Sequence, residues 1–439
     1  MENFKNTKFN YFKSIKLAQC RTFSETQKLS FVSKDGSPCM WNLIIGDNGT
    51  GKTTILRSLA LALSVNQEYV YEYWGERNEV VPSLFVREEN KKAQFDYVLL
   101  GEKDAELPFT FTSDKYGISQ KKEGAVRAIY MGDFPFYNLP KLVAYGANRK
   151  IGDSKLSSEK SSPVISLFNE NALLSNAEEW LLQADYKSKT IKGNRNIVKI
   201  EEILLDLFKG EISDIKIMHD PSSNRMVSNV FFKTDYGMVR LHQLSLGYKT
   251  ILAWMVDFSM QLFNFYPESK NPLREPAVCL VDEIDLHLHP KFQRNLVAFL
   301  SKTFPKTQFI ATAHSPLIVQ AFSDANIIML KKEKDHVVAD INPLNIKAYR
   351  IDQILTSDLF GLKSGHSVNA EKLLKKRTNI LSKESLTIQD EKELERIEKE
   401  LGKIPTWEDK YERQAMSAID KIALWLENKE IDDKNKQKH

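Results

Sequence analysis

Eight residues constrain this chain more than any others: Gly46-Asp47-Asn48-Gly49-Thr50-Gly51-Lys52-Thr53. Apolar Leu43-Ile44-Ile45 precedes them, and Thr54-Ile55-Leu56 opens a stretch that is apolar at helical spacing. Strand, Gly-rich turn and helix in that order make a G-x-x-x-x-G-K-[ST] phosphate loop. The glycines Gly46, Gly49 and Gly51 let backbone N–H groups approach a triphosphate closely. Asp47, Asn48 and Thr50 fill the turn, and the helix from Lys52-Thr53-Thr54 presents its positive end to the anion. Lys52 is expected to reach the β- and γ-phosphates of ATP, and the Thr53 hydroxyl is a hard oxygen ligand for Mg2+.

A second constraint is Ala277-Val278-Cys279-Leu280-Val281-Asp282-Glu283, an apolar run ending in two acids. A buried strand with charge only at its tip is delivering that charge to a site. Asp282 is suited to hold Mg2+ through water. Glu283 can orient and deprotonate an attacking water. The apolar Phe309-Ile310-Ala311-Thr312-Ala313 leads to His314, and strand–helix–strand spacing predicts Glu283 and His314 on adjacent strand ends. There His314 can bond a γ-phosphate and report its loss. Asp285, His287 and His289 form D-x-H-x-H, which has the form of a metal site. Placed directly after the acidic strand, with Pro290 opening the next helix, it reads instead as a loop at a dimer seam.

Leu244-Ser245-Leu246-Gly247-Tyr248-Lys249 precedes a long helical pattern to residue 265. A hydroxyl and a glycine at a helix N-terminus form a second anion cradle. One ATP does not need two cradles from one chain, whereas a head-to-tail homodimer uses both.

The spacing of elements predicts an α/β fold with a mixed sheet and flanking helices. Residues 1–150 read as a lobe carrying the phosphate loop and 151–210 as a helical insertion, opened by the Ser-rich stretch from Ser154. Residues 211–345 read as a lobe with the Ser-Gly corner, the acidic strand and His314, and 346–439 as a helical region suited to partner docking. Within the third segment, DIKIMHD, SNVFFKT and GMVRLH read as a strand meander.

Composition narrows the classes. With 3 cysteines far apart, neither a disulfide framework nor a zinc cluster is expected, and the pattern suits a reducing cytoplasm. The polar, aromatic opening MENFKNTKFNYFKS is not a secretory leader, and no stretch is long enough to span a bilayer, so no membrane partner is expected. A formal net charge of +4 permits nucleic-acid binding without indicating it. Lys121-Lys122, Lys331-Lys332 and Lys375-Lys376-Arg377 read as solvated surface.

The order GDNGTGKT, LSLGYK, LVDE, ATAHSP resembles that of ABC-type ATPase heads of the RecF, Rad50, SMC and OLD group. The DEIDLHLHP continuation, AYGANR and LTSDLFGL resemble OLD-like or AAA_21-type ATPases, above all the PtuA-like ATPases of Septu and retron antiphage defence systems. The motifs of the head cover most of residues 15–330. The resemblance implies that Ser245 and Gly247 contact the γ-phosphate held by the opposite protomer. It implies that Arg21, in Cys20-Arg21-Thr22-Phe23, contacts nucleotide phosphate. It also implies an ATPase sensor or scaffold, slow without its partner, that recruits an HNH or other nuclease subunit. A RecF-like DNA repair clamp and a structural nucleotide binder with little turnover are the alternatives. The chain departs from the pattern in lacking a Q-loop glutamine near 140–150, where Tyr145, Asn148 and Arg149 stand instead. No nuclease motif is legible: no D-x-D follows the last strand, no cysteine follows Cys279, and Glu89-Asn90-Lys91 is a triplet expected by chance.

Overall fold

The computed structural model describes residues 8–64, 85, 92–114, 117–122, 125–128, 139–152, 162–191, 196–219, 228–322, 324–346, 349–362, 364–381, 383 and 387–401. The Glu89-Asn90-Lys91 triplet and most of the Ser-rich stretch lie outside them, as do residues 402–439.

The chain begins with β1 (Phe9–Ala18), β2 (Gln27–Ser30) and β3 (Trp41–Gly46), then enters helix α1 (Lys52–Ser64). An antiparallel run follows: β4 (Ala93–Gly101), β5 (Glu106–Asp114), β6 (Gly117–Lys122) and β7 (Ala125–Ala128). β8 (Leu142–Tyr145) and the two-residue strands β9 (Lys150–Ile151) and β10 (Leu173–Leu174) lead to helices α2 (Ala177–Thr190) and α3 (Asn196–Leu207). β11 (Asp214–His219), β12 (Ser228–Thr234) and β13 (Gly237–Arg240) form the meander, and α4 (Leu246–Phe265) follows. Then come β14 (Ala277–Val281), α5 (Pro290–Thr303), β15 (Thr307–Thr312), α6 (Pro316–Ala321), β16 (Asn326–Glu333) and β17 (His336–Ile341).

Two six-stranded sheets dominate. One is antiparallel, in the order β2-β1-β4-β5-β6-β7. The other runs β17-β16-β3-β15-β14-β8, with β17 the antiparallel edge of an otherwise parallel set. In the parallel set, alternate residues enter two different cores. Leu43, Tyr145, Cys279 and Ala311 pack with α2–α5, whereas Ile44, Ala144, Leu280 and Ile310 pack with α1 and the antiparallel sheet. A strand buried on both faces must be apolar throughout, which is why these runs show no polar alternation.

The two sheets are joined at the N-terminal end of the parallel set by side-chain amides. Gln308 Oε1 accepts from Phe12 N at 2.8 Å, and its Nε2 donates to Phe12 O at 3.0 Å. Asn326 Nδ2 donates to Ser30 O of β2 at 2.7 Å. At the opposite end, β3, β8, β14 and β15 all finish on one edge, with Tyr145 opposite Val281 and Thr312 opposite Ile44. Loops leaving the carboxyl ends of parallel strands are where such folds build sites.

Helix α4 is buried over most of its length, including Asp257, Ser259 and Gln261. Its one buried acid is bonded: Asp257 accepts from the Tyr145 hydroxyl at 2.8 Å and from Ser175 N at 3.1 Å. Burial raises the Asp257 carboxyl above the usual aspartate value. The compact unit ends at Leu362, after the short helix α7 (Ile351–Thr356). A second unit, Lys363–His439, contains α8 (Val368–Leu381) and α9 (Ile388–Leu401). These pack on each other, with Arg377 Nη2 3.2 Å from Glu398 and the α9 start capped by Thr387 and Asp390. Among the described residues no helix is long and apolar enough to cross a membrane.

Candidate functional site

The phosphate loop leaves β3 at Gly46, whose φ is +150°. Gly49 and Gly51 have φ of +78° and +93°, a region open to glycine. Gly51 is also crowded: a Cβ there would lie 2.6 Å from Thr22 Oγ1 and 2.8 Å from the Phe23 ring. Thus the turn carrying Arg21 is seated on the loop, and Thr22 Oγ1 donates to Thr50 O at 3.3 Å. Arg21 itself has φ +47° and is exposed. Asp47, Asn48 and Gly49 are exposed at the apex, while Thr50 is buried and donates to Asp47 O at 2.8 Å.

Lys52 opens α1 and is only 7% exposed. Its ammonium donates to Gly46 O at 2.7 Å and to Asp47 O at 2.9 Å. Burial lowers its pKa, and the carboxylates of Asp282, Glu283, Asp47 and Asp285 oppose that shift. Thr53 and Thr54 follow in the first turn, half-buried. Thr53 Oγ1 donates to Asp282 Oδ2 at 2.7 Å.

A hydrogen-bond chain then crosses the sheet edge. Thr312 Oγ1 donates to Asp282 Oδ1 at 2.6 Å and accepts from Glu283 N at 2.7 Å. The phosphate loop's hydroxyl, the acid at the strand tip and the next residue's backbone are therefore coupled through one buried threonine. Glu283 stands at φ +49°, a left-handed conformation that costs a non-glycine residue roughly 1–2 kcal/mol and needs support around it. Arg149 supplies part of it: Nη1 and Nη2 donate to the carbonyls of Asp282 and Glu283, each at 2.8 Å. Sequence spacing had offered Tyr145, Asn148 and Arg149 as equals. Tyr145 is drawn instead to Asp257, Asn148 is exposed, and Arg149 is 5% exposed against the acidic tip.

His314 lies just past the end of β15, the strand next to β14, and is exposed. Its backbone N donates to both Asp285 oxygens at 3.3 and 3.2 Å. The D-x-H-x-H residues diverge: Asp285 binds that amide, His287 sits in a left-handed turn at φ +63°, and His289 Nδ1 caps α5 by accepting from Lys291 N at 3.3 Å. Among the described residues no three His, Cys, Asp or Glu side chains gather into a metal cluster.

The Ser-Gly corner is a separate place. Ser245 is the N-cap of α4, exposed, and its hydroxyl makes no bond to its own helix. Leu246 beside it is 58% exposed. Gly247 lies in the first turn of α4, and a Cβ on it would meet His287 O at 2.6 Å. The corner therefore leans on the loop after the acidic strand of its own chain.

Chemically, the strand-tip cluster fits a nucleotide with its cation. Thr53 Oγ1 and Asp282 Oδ2 are two hard oxygens side by side, the donor set Mg2+ prefers. The loop offers backbone amides and one buried ammonium to the phosphates. Thr312 and Arg149 were not legible from motifs. A threonine two residues before a strand-end histidine is the only signal for the first, and an arginine in the Q-loop's place the only signal for the second.

Comparison with known proteins bears on this geometry. The AAA_21 family, described as "AAA domain, putative AbiEii toxin, Type IV TA system", matches residues 42–320. A Septu protein PtuA from Bacillus mycoides (strain KBAB4) is 26% identical over 346 residues, covering 76% of this chain. The match covers 43% of that protein, so this chain spans under half the length of that relative. A "Retron Vc95 probable ATPase" from Vibrio cholerae serotype O1 biovar El Tor is 24% identical, with 73% of each chain covered. An SMC head bound to the C-terminal winged-helix domain of ScpA aligns with TM-score 0.46 and 16% identity, over 75% of this chain and 97% of that one.

Proposed function

This chain belongs to the AAA_21 family, and from that premise we propose that it binds and hydrolyses ATP as an ABC-type head, two copies closing head to tail over two nucleotides. The observation that carries the reading is the continuous hydrogen-bonded run Thr53–Asp282–Thr312–Glu283 beside the buried Lys52.

In this reading the amides of residues 46–54 and the Lys52 ammonium bind the phosphates. Thr53 and Asp282 would hold Mg2+, which would supply positive charge to the triphosphate. Glu283 accepts the proton of the attacking water, and its backbone is fixed before any substrate arrives. His314 bonds the γ-phosphate, with its backbone anchored by Asp285. Arg21 adds a cation from the turn seated on the loop. Ser245 and Gly247 of the opposite protomer complete the γ-phosphate shell. Turnover is slow until a partner favours the closed dimer.

We assign the chain to an antiphage complex, as the ATPase sensor or scaffold beside a separate nuclease. The relatives named for Septu and retron systems support that context. The test is native mass measurement of the full chain with Glu283→Gln, with and without ATP. Proton transfer is blocked in this variant, so ATP should accumulate and the mass should shift to at least a dimer. A monomer at every ATP concentration would remove the composite site. Co-purification of a nuclease encoded beside this gene tests the defence assignment, and a neighbour unrelated to nucleases or toxins would remove it.

A further inference from the structure

We infer that Arg149 is the positioning residue for Glu283, setting the backbone from which the proposed base works. The inference rests on reading Glu283 as that base. Its ground is a complete accounting of the backbone at the strand tip. Asp282 N donates to Tyr145 O at 2.8 Å, and Glu283 N donates to Thr312 Oγ1 at 2.7 Å. The two carbonyls of the same residues accept from the two terminal nitrogens of one guanidinium, each at 2.8 Å, and the Glu283 carbonyl also accepts from Leu286 N at 3.0 Å. Every polar backbone group of the acidic pair is thus held at the point where the chain turns left-handed.

The planar fork gives each carbonyl its own nitrogen at a fixed spacing; a lysine ammonium, although Lys52 does reach the successive carbonyls of Gly46 and Asp47, is a single point donor without that plane. The guanidinium is itself braced, lying over the Trp254 ring on α4 at 5.6 Å from its centroid. Burial lowers its pKa to about 10, while Asp282, Asp285 and Glu283 oppose the shift, so it stays charged at neutral pH. Residue 149 directly follows the exposed Asn148 and precedes β9, and it is one of the residues lining a cavity of about 490 Å3 with Lys249, Thr250 and His287.

The test compares steady-state ATP hydrolysis by full-length wild type, Arg149→Lys, Arg149→Ala and Glu283→Gln, with ATP affinity measured separately. Arg149→Ala and Arg149→Lys should lower kcat about 100-fold with little change in ATP affinity, because misplacing a catalytic group has that cost. Millimolar guanidinium should restore part of the Arg149→Ala rate, and methylammonium should not. Hydrogen exchange should also quicken in the peptide around Asp282–Ile284 in both variants. If Arg149→Ala does not fold, the lysine variant carries the comparison. Wild-type kcat in the Arg149 variants beside a dead Glu283→Gln overturns this inference and leaves the base assignment standing. Wild-type kcat in all three overturns both. A loss of ATP affinity as large as the loss of kcat also overturns it, since the arginine would then hold the whole pocket together.

Discussion

The strand tips and the Ser-Gly corner both offer a helix N-terminus and hydroxyl groups, yet they are built oppositely. At the tips, the side chains of the phosphate loop and of Asp282 are already bonded within the chain: Lys52 to Gly46 and Asp47, Thr53 to Asp282, Asp282 to Thr312. At the corner, Ser245 is exposed and bonds nothing of its own helix, and Leu246 beside it is 58% exposed. The backbone of the corner is fixed all the same, since Gly247 sits under His287 O with no room for a Cβ. One region is prepared to hold a ligand alone. The other is closely packed at its backbone while its hydroxyl is exposed, the arrangement that the proposed head-to-tail dimer would use.

The contrast can be broken in four ways, in order of expected size. Lys52→Ala removes the buried ammonium and should weaken ATP binding about 1,000-fold, read by equilibrium titration; an affinity near wild type would show that the tips do not hold the triphosphate. Ser245→Arg should leave binding by one chain intact and lower turnover about 100-fold, the scale for losing one preorganised donor. Equal loss of binding would mean the corner belongs to the same chain's pocket. Thr312→Val deletes the hydroxyl between Asp282 and Glu283 and should cost about 2 kcal/mol in urea unfolding, with buried partners left unsatisfied. Gly49→Ala meets no atom within 4 Å and is strained only by its φ of +78°. It should cost about 1 kcal/mol. If it costs much more, the apex is less open than the corner and the contrast blurs.

Much of this was legible beforehand. The Gly-rich turn between strand and helix, the apolar run ending at Asp282-Glu283 and the strand before His314 are local patterns, and each local pattern has a physical cause within a few residues. The meander of β11–β13 was legible for the same reason, through its turns. β17 was not: after Asn326–Leu330 the stretch Lys331-Lys332-Glu333-Lys334-Asp335 reads as solvated charge, but Lys334 at φ +49° makes the turn of a hairpin. The Arg149 fork was legible only as one of three alternatives, since bonds to carbonyls 133 and 134 residues away leave no spacing to read. Asp257 carried a signal that went unused. A single acid amid Trp254-Met255-Val256 and Phe258 has to find donors, and it finds Tyr145 and Ser175.

The alternation of β14 between two cores has one more consequence. Ala277, Cys279 and Val281 serve one side and Val278 and Leu280 the other, so the strand works as a ruler whose parity matters. Deleting or inserting a single residue there would exchange the contents of both interiors and reverse the side on which the acidic pair emerges. Substitutions along this segment can be absorbed by repacking, but changes in its length cannot.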